Sequence, residues 1–470
     1  MSGLRWIGVA HIAENLVTAF CLIIVARLIE PGAFGLFAMA AGVYGLLLIG
    51  AELGLDAAVI KHPSPEHGEL SAAYSLSLLA ALLMMLLGIL LAPQVARFYD
   101  EPGVTVLLQV LCLFLPVEIA RRIPMAIVER SLEFKRIALI ELISSLSGSV
   151  LAVVVALQGA GYWALLIKLA FTTSLLTVLI LLFGKWRPGL KWNIDVFAGM
   201  GQFSARVMYS RAATHISRQA DQVLVGRGLG SETLGVYNLA TQMMLFPLLL
   251  FSRFIARVLF PAAARVEENR ARLANGFSDA FAGLFMVVVP MMFGLAVIAP
   301  LLVDVLLGEA WRALIHPVQV LAPVGVFTAM ALLAESVLLA AGRADLVLRW
   351  VLLRGAAVVG AVLLGMPWGL PGIVYLYAAM GVLVELSLLH KLCTLLGLSP
   401  SILGKSVLKP ALAAAAMSLI VGVLPQLSAE PAIQLTLSVA LGVSVYSGLI
   451  LLWERRRVES LARELILNRL

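Results

Sequence analysis

Apolar residues in this chain neither alternate nor recur on one face of short helices; they run in long blocks. Runs of about 18 to 25 apolar residues recur along nearly the whole length, and each can cross a hydrocarbon layer about 30 Å thick. Fourteen such spans are read, at 6–26, 34–60, 71–92, 104–120, 137–157, 162–183, 203–226, 234–260, 278–307, 316–341, 350–366, 371–390, 406–424 and 432–453. Glycine and proline breakers fall mainly between them, as in IEPGAFG, HPSPEHG, YDEPG, KWRPG and LSAEP. The pattern predicts an all-α polytopic membrane protein without a separate water-exposed domain.

Charge then orients the spans. The N-terminus, the even-numbered connections and the tail carry 22 Lys and Arg, against four (Arg27, Arg97, Arg227, Arg312) in the odd-numbered connections. Short cytoplasmic loops are the ones enriched in positive charge, so both termini are expected in the cytoplasm. The composition agrees: 61% of residues are hydrophobic, 13% are charged and the mean hydropathy is +1.01. The net charge of +7 does not form one basic face, which speaks against nucleic acid as a partner. Cys21, Cys112 and Cys393 all lie inside spans and form no CxxC or Cys/His cluster, so neither a metal nor a disulfide framework is expected. The first apolar segment is interrupted by His11, Glu14 and Asn15 and reads as a retained span, not a cleaved leader.

The chain also repeats itself. Val25–Ala40, VARLIEPGAFGLFAMA, has a counterpart 200 residues later in VGRGLGSETLGVYNLA, with Val25/Val225, Arg27/Arg227, Gly35/Gly235 and Ala40/Ala240 identical. Six spans separate the copies, so the halves face the same way, as parallel repeats do. The expected divisions are 1–196 for an N-terminal six-helix lobe, 197–400 for a second lobe, and 401–470 for two appended helices and a basic cytoplasmic tail.

Span 7 is unusual in carrying Arg206, Arg211, His215, Arg218 and Asp221. On a helix, Arg211, His215 and Arg218 fall within about 60° of one another. Charge at mid-membrane costs about 2.5–3.5 kcal/mol per residue on insertion scales, so the stripe needs water or partners. It reads as the wall of a cationic cavity suited to phosphate or acidic sugars. The same stripe would also serve helix pairing, for instance with Glu14 closing on Arg211. His11 and Glu14 of span 1 fall at the matching depth; with Asp221 they are the candidates for ion coupling. Glu52 and Asp56 near the cytoplasmic end of span 2 face, under the repeat, Arg253 and Arg257 of span 8, which suggests a cytoplasmic gate of ion pairs; snorkelling toward headgroups is the alternative. Glu118, Glu141, Lys168, Asp279, Asp304, Glu335, Arg354 and Glu385 are isolated in the sequence and read as paired or interfacial. Pro116, Pro247, Pro290 and Pro323 interrupt spans and mark bends. A nucleotide-binding loop and an HExxH motif are lacking, so ATP hydrolysis within the chain and cofactors are not expected.

VARLIEPGAFGLFAMA with GAELGLDAAVIK, and ADQVLVGRGLGSETLGVYNLA with LFPAAARV, resemble the paired signatures of Wzx-type polysaccharide flippases, a branch of the MOP superfamily beside the MATE antiporters and the lipid II flippases. The likeness runs over about residues 1–400. It implies a V-shaped two-lobed transporter of the bacterial cytoplasmic (inner) membrane. By alternating access it would flip undecaprenyl-pyrophosphate-linked oligosaccharides for exopolysaccharide, capsule or O-antigen export, beside a polymerase and glycosyltransferases. Two other classes compete. A MATE-like exporter of small organic molecules would want an acidic cavity, against the arginines of span 7. A membrane polymerase or ligase would want a large outward loop, and the outward connections are short.

Overall fold

The computed structural model describes residues 17–63, 65–184, 186–189, 191, 195–263, 270–423 and 430–467. Its regular elements are helices: α1 (Val17–Leu28), α2 (Pro31–Glu52), α3 (Leu55–Lys61), α4 (His67–Tyr99), α5 (Gly103–Cys112), α6 (Leu115–Ala120), α7 (Arg122–Arg130), α8 (Phe134–Leu157), α9 (Trp163–Phe183), α10 (Asp195–Ala263), α11 (Arg270–Leu302), α12 (Ile315–Ala340), α13 (Ala344–Gly365), α14 (Gly369–Leu396), α15 (Pro400–Val423) and α16 (Pro431–Leu467). An all-α architecture satisfies every backbone hydrogen bond within each segment, as a bilayer demands.

Among the described residues, ten helical stretches are long and apolar enough to cross a membrane, against fourteen spans expected. One of the ten, Asp345–Leu396, takes in both α13 and α14. Helix α1 is too short over its described length, and the first arm of α10 carries too many charges to be counted by apolarity.

The chain divides into two compact units, Met1–Gly235 and Val236–Leu470. In the first, α2 packs on α4 and α5, α4 also on α6, α3 on α7 and α8 on α9. Its centre is filled by Leu107, Leu108, Leu111, Leu115 and Ile119, all with essentially no exposure. The sequence reading stopped a span at residue 120 and put Arg121, Arg122 and Arg130 in a loop. In the structure the helical path continues to Arg130, with short breaks near Leu113 and at Arg121. Pro116 sits in the first turn of α6, where its missing N–H removes no intrahelical bond.

The second unit is built round α11, which packs on α12, α15 and α16. Phe277, Phe281, Met292 and Leu333 are fully buried there, and Phe281 stacks on Phe285 at 4.6 Å between ring centres. Helices α15 and α16 have no counterpart in the repeat, yet they join this core: Ala413 and Ala414 are fully buried, and the Tyr446 hydroxyl donates to the Met286 carbonyl at 2.7 Å.

Helix α10 is two helices joined at Gly230, whose φ of 83° and ψ of 178° lie outside the helical region. Glycine is the residue that reaches such angles without steric cost. The first arm, residues 195–229, carries the charged stripe.

Candidate functional site

The chain from α2 through α3 runs antiparallel to α10 over the stretch from Phe203 to Gly235. Near one end, Lys61 Nζ lies 4.3 Å from the centre of the Phe203 ring. Midway, His215 Nε2 is 2.9 Å from the Gly42 carbonyl. Its ring also presses on Gly45, where an added Cβ would come within 2.5 Å of it. Near the other end the backbones themselves touch. A Cβ on Gly35 would lie 1.7 Å from the Ser231 carbonyl oxygen, and one on Gly235 would lie 1.8 Å from that of Pro31. Residues 31 and 35 and residues 231 and 235 stand in the repeat relation, so equivalent turns of the two copies meet face to face.

Helix α2 ends where Leu53 and Gly54 both take left-handed backbone angles, φ 53° and 70°. A continuous helix over 34–60 would have set Glu52 and Asp56 on successive turns. The break makes Glu52 the last residue of α2 and puts Asp56 in the first turn of α3, where a carboxylate favours the positive end of the helix dipole. Both acids converge on Arg211. Its Nη1 donates to Glu52 Oε2 at 2.7 Å and to Asp56 Oδ1 at 3.0 Å, while Nη2 donates to Asp56 Oδ2 at 2.9 Å. The Asp56 contact is the two-pronged fork that guanidinium geometry favours.

The network continues inward. Glu52 Oε1 takes Arg122 Nη2 at 2.6 Å, and Arg122 also reaches Glu118 Oε1 at 3.2 Å. Arg121 Nη2 donates to the same Glu118 oxygen at 2.8 Å, and the Tyr44 hydroxyl donates to Glu118 Oε2 at 2.9 Å. Three carboxylates thus face three guanidinium groups. Glu52 is buried, at 6% exposure, whereas the Arg211 side chain keeps 36%. Stripping water from such charges costs several kcal/mol per ion, which only mutual pairing offsets. Arg211 stands at the exposed end of the network, where another anion has room to compete for it.

The other expected site residues fall as follows. Arg206 and Arg218 are exposed on the first arm of α10, and His215 is held against α2. Asp221 is buried and its Oδ1 accepts the Gln222 backbone N–H at 2.8 Å. His11 and Glu14 lie outside the described residues, as do the side chains of Arg253 and Arg257. The structure therefore joins one residue of the expected cavity, Arg211, to the two acids expected in the gate. Sequence reasoning missed the inner members Tyr44, Arg121 and Arg122; it read Glu118 as paired or interfacial without naming its partners. A signal was there: Glu118 precedes Arg121 and Arg122 by three and four residues, the spacing of helical ion pairs.

Residues 24–316 match a family described as "Polysaccharide biosynthesis protein". The chain is 28% identical to the teichuronic acid biosynthesis protein TuaB of Bacillus subtilis, over 84% of this chain and 83% of TuaB. It is 28% identical to the succinoglycan biosynthesis transport protein ExoT of Rhizobium meliloti, over 94% and 91%. Its fold is similar to that of the lipid II flippase MurJ in an inward closed conformation, with a TM-score of 0.77 at 14% identity, covering 97% of this chain and 100% of the other. A MATE family transporter of the MOP superfamily superposes with a TM-score of 0.64 at 14% identity, over 85% and 99%.

Proposed function

Because the chain belongs to the polysaccharide biosynthesis protein family, we propose that it flips an undecaprenyl-pyrophosphate-linked oligosaccharide across the bacterial cytoplasmic membrane for polysaccharide export. The observation that carries this reading is Arg211, a partly exposed guanidinium on a helix arm too charged for lipid, held by two carboxylates that a diphosphate can replace. Phosphate oxygens offer the same fork as Asp56 at similar distances. When they take Arg211, Glu52 keeps Arg122 as its partner and Asp56 is released, so the bond between α3 and α10 loosens as cargo binds. Differential binding of this kind is what lets a ligand shift a conformational equilibrium. Arg206 and Arg218, exposed along the same arm, extend the positive surface toward the sugars.

The gate of the sequence reading is re-proposed with Arg211 as its base. His11, Glu14 and Asp221 stay as proposed coupling residues. The 22-to-four split of basic residues supports cytoplasmic termini and places Glu52 and Asp56 near the cytoplasmic side. The protein acts here as a transporter and not an enzyme, with a polymerase and glycosyltransferases as its working neighbours. In a deletion strain, Arg211→Ala combined with Arg218→Ala should abolish surface polysaccharide while leaving the protein abundant in the membrane. Unchanged polymer with both arginines gone would remove the anion-binding role.

A further inference from the structure

The second unit holds an ion pair within its helices that the transport site does not use. Helices α13 and α14 pack side by side. Arg354 stands ten residues into α13 and Glu385 eleven residues before the end of α14, each about 15 Å along its axis from the shared end. At that depth a charge is far from either water layer. Arg354 Nε lies 3.4 Å from Glu385 Oε1, and the Glu385 side chain is only 1% exposed. Its second oxygen, Oε2, is buried and has no hydrogen-bond partner. The Arg354 guanidinium also lies 5.6 Å from the centre of the Trp350 ring.

An ionised carboxylate asks for several donors. Here Oε1 meets Arg354 at 3.4 Å and Oε2 is buried without a hydrogen-bond partner, and burying an unsatisfied charged oxygen is costly. Arg354 cannot give up its proton, so any variable charge must reside on an acid. The charged groups that act on Glu385 are Arg354 from α13 and Glu335 from α12, and Glu335 is of like sign. On α14 itself, His390 faces an apolar cavity of about 540 Å³ lined by Phe281, Phe285 and Phe293. Two acids and one base leave a surplus of one negative charge, which one proton cancels. A metal ion is poorly served there: a hard cation wants about six oxygens, and the guanidinium already faces the carboxylate. Among the described residues, no group of three or more His, Cys, Asp or Glu side chains is placed to hold a metal.

We propose that Glu385 is an exchangeable proton site inside the second unit, with Arg354 and Glu335 deciding when it is filled. The proton enters and leaves as H⁺ on a carboxylate oxygen, and no other bond changes. Without the proton, Arg354 is drawn onto Glu385 and ties α13 to α14; with it, that tie weakens. Transport coupled to a proton gradient would gain a site for the driving ion among residues that take no part in the Arg211 network.

The test is infrared difference spectroscopy on the full-length protein in liposomes, stepped from acid to alkaline pH. The carbonyl stretch of a protonated carboxyl should appear and vanish with pH in the native protein, be lost in Glu385→Gln and move in frequency in Glu385→Asp. Glu335→Gln, which keeps Glu385 in place, should displace the pH at which the band is lost. If Glu385→Gln fails to assemble, the displacement in Glu335→Gln decides the matter. A band unaltered in all three variants overturns the proposal. A band moved by sodium at fixed pH also overturns it, in favour of a metal site. The readout involves no cargo, so it can fail while the flippase reading stands, and the reverse.

Discussion

The guanidinium of Arg211 carries the ion pairs that tie the first arm of α10 to α2 and α3, and its partners are unequal. Glu52 shares itself between Arg211 and Arg122, whereas the fork from Asp56 goes to Arg211. Reversing one member of a close pair juxtaposes like charges, which costs several kcal/mol. Asp56→Arg should therefore lower polysaccharide export at least about ten-fold, an effect of about 1.4 kcal/mol or more. Asp56→Arg should also lower thermal stability in detergent, and adding Arg211→Asp should recover stability without recovering export, because the reversed pair restores the bond while the guanidinium for cargo is gone. Recovery of neither, at equal protein levels, would mean that the pair has no latch role, and recovery of export would remove Arg211 from cargo binding. The charges themselves were legible in the sequence, since an arginine inside an apolar block announces a partner or a ligand. Which partner was not legible: it depends on the backbone break at Leu53 and Gly54, where a non-glycine residue takes a left-handed angle that costs about 1–2 kcal/mol. The pairing of Glu118 was hidden for a different reason. Ending the span at residue 120 assigned Arg121 and Arg122 to solvent and so took away its partners.

At the scale of elements, the repeat was visible as four identical pairs in sixteen positions, but the reason for one of them was not. Gly35 and Gly235 match because equivalent turns of the two copies lie against each other closely enough to exclude any side chain. Small residues give membrane helices this approach, since packing rather than burial from water drives their association. Gly35→Ala or Gly235→Ala alone should force the turns apart, lowering thermal stability in detergent by an amount equivalent to about 1–3 kcal/mol. Gly42→Ala is the matched control. Its added methyl meets nothing within 4 Å, and the carbonyl that takes His215 is kept. Equal losses at all three positions would attribute the effect to helix glycines in general and not to the contact. Apolarity continues through the short breaks between α5 and α7 and at the end of α2, so the pattern of the sequence does not mark these boundaries and packing defines them.

For the molecule as a whole, hydropathy and charge bias do separate work. Hydropathy established a helical membrane protein but blurs the count, since α13 and α14 merge into one apolar stretch and the charged arm of α10 drops out. Charge bias supplies direction. It makes an alternating claim that can be tested at single turns. The turn between α7 and α8 should face the cytoplasm and the turn between α8 and α9 the other side. Cysteines placed at Ser131 and Gln158 sample them, 27 residues apart in sequence. Background is low because Cys21, Cys112 and Cys393 are all free and buried. In intact cells a membrane-impermeant maleimide should label Gln158→Cys and spare Ser131→Cys, and permeabilisation should equalise the two. Labelling of Ser131→Cys alone would invert the whole assignment, put Glu52 and Asp56 at the far face, and require the Arg211 latch to close the exit instead of the entrance.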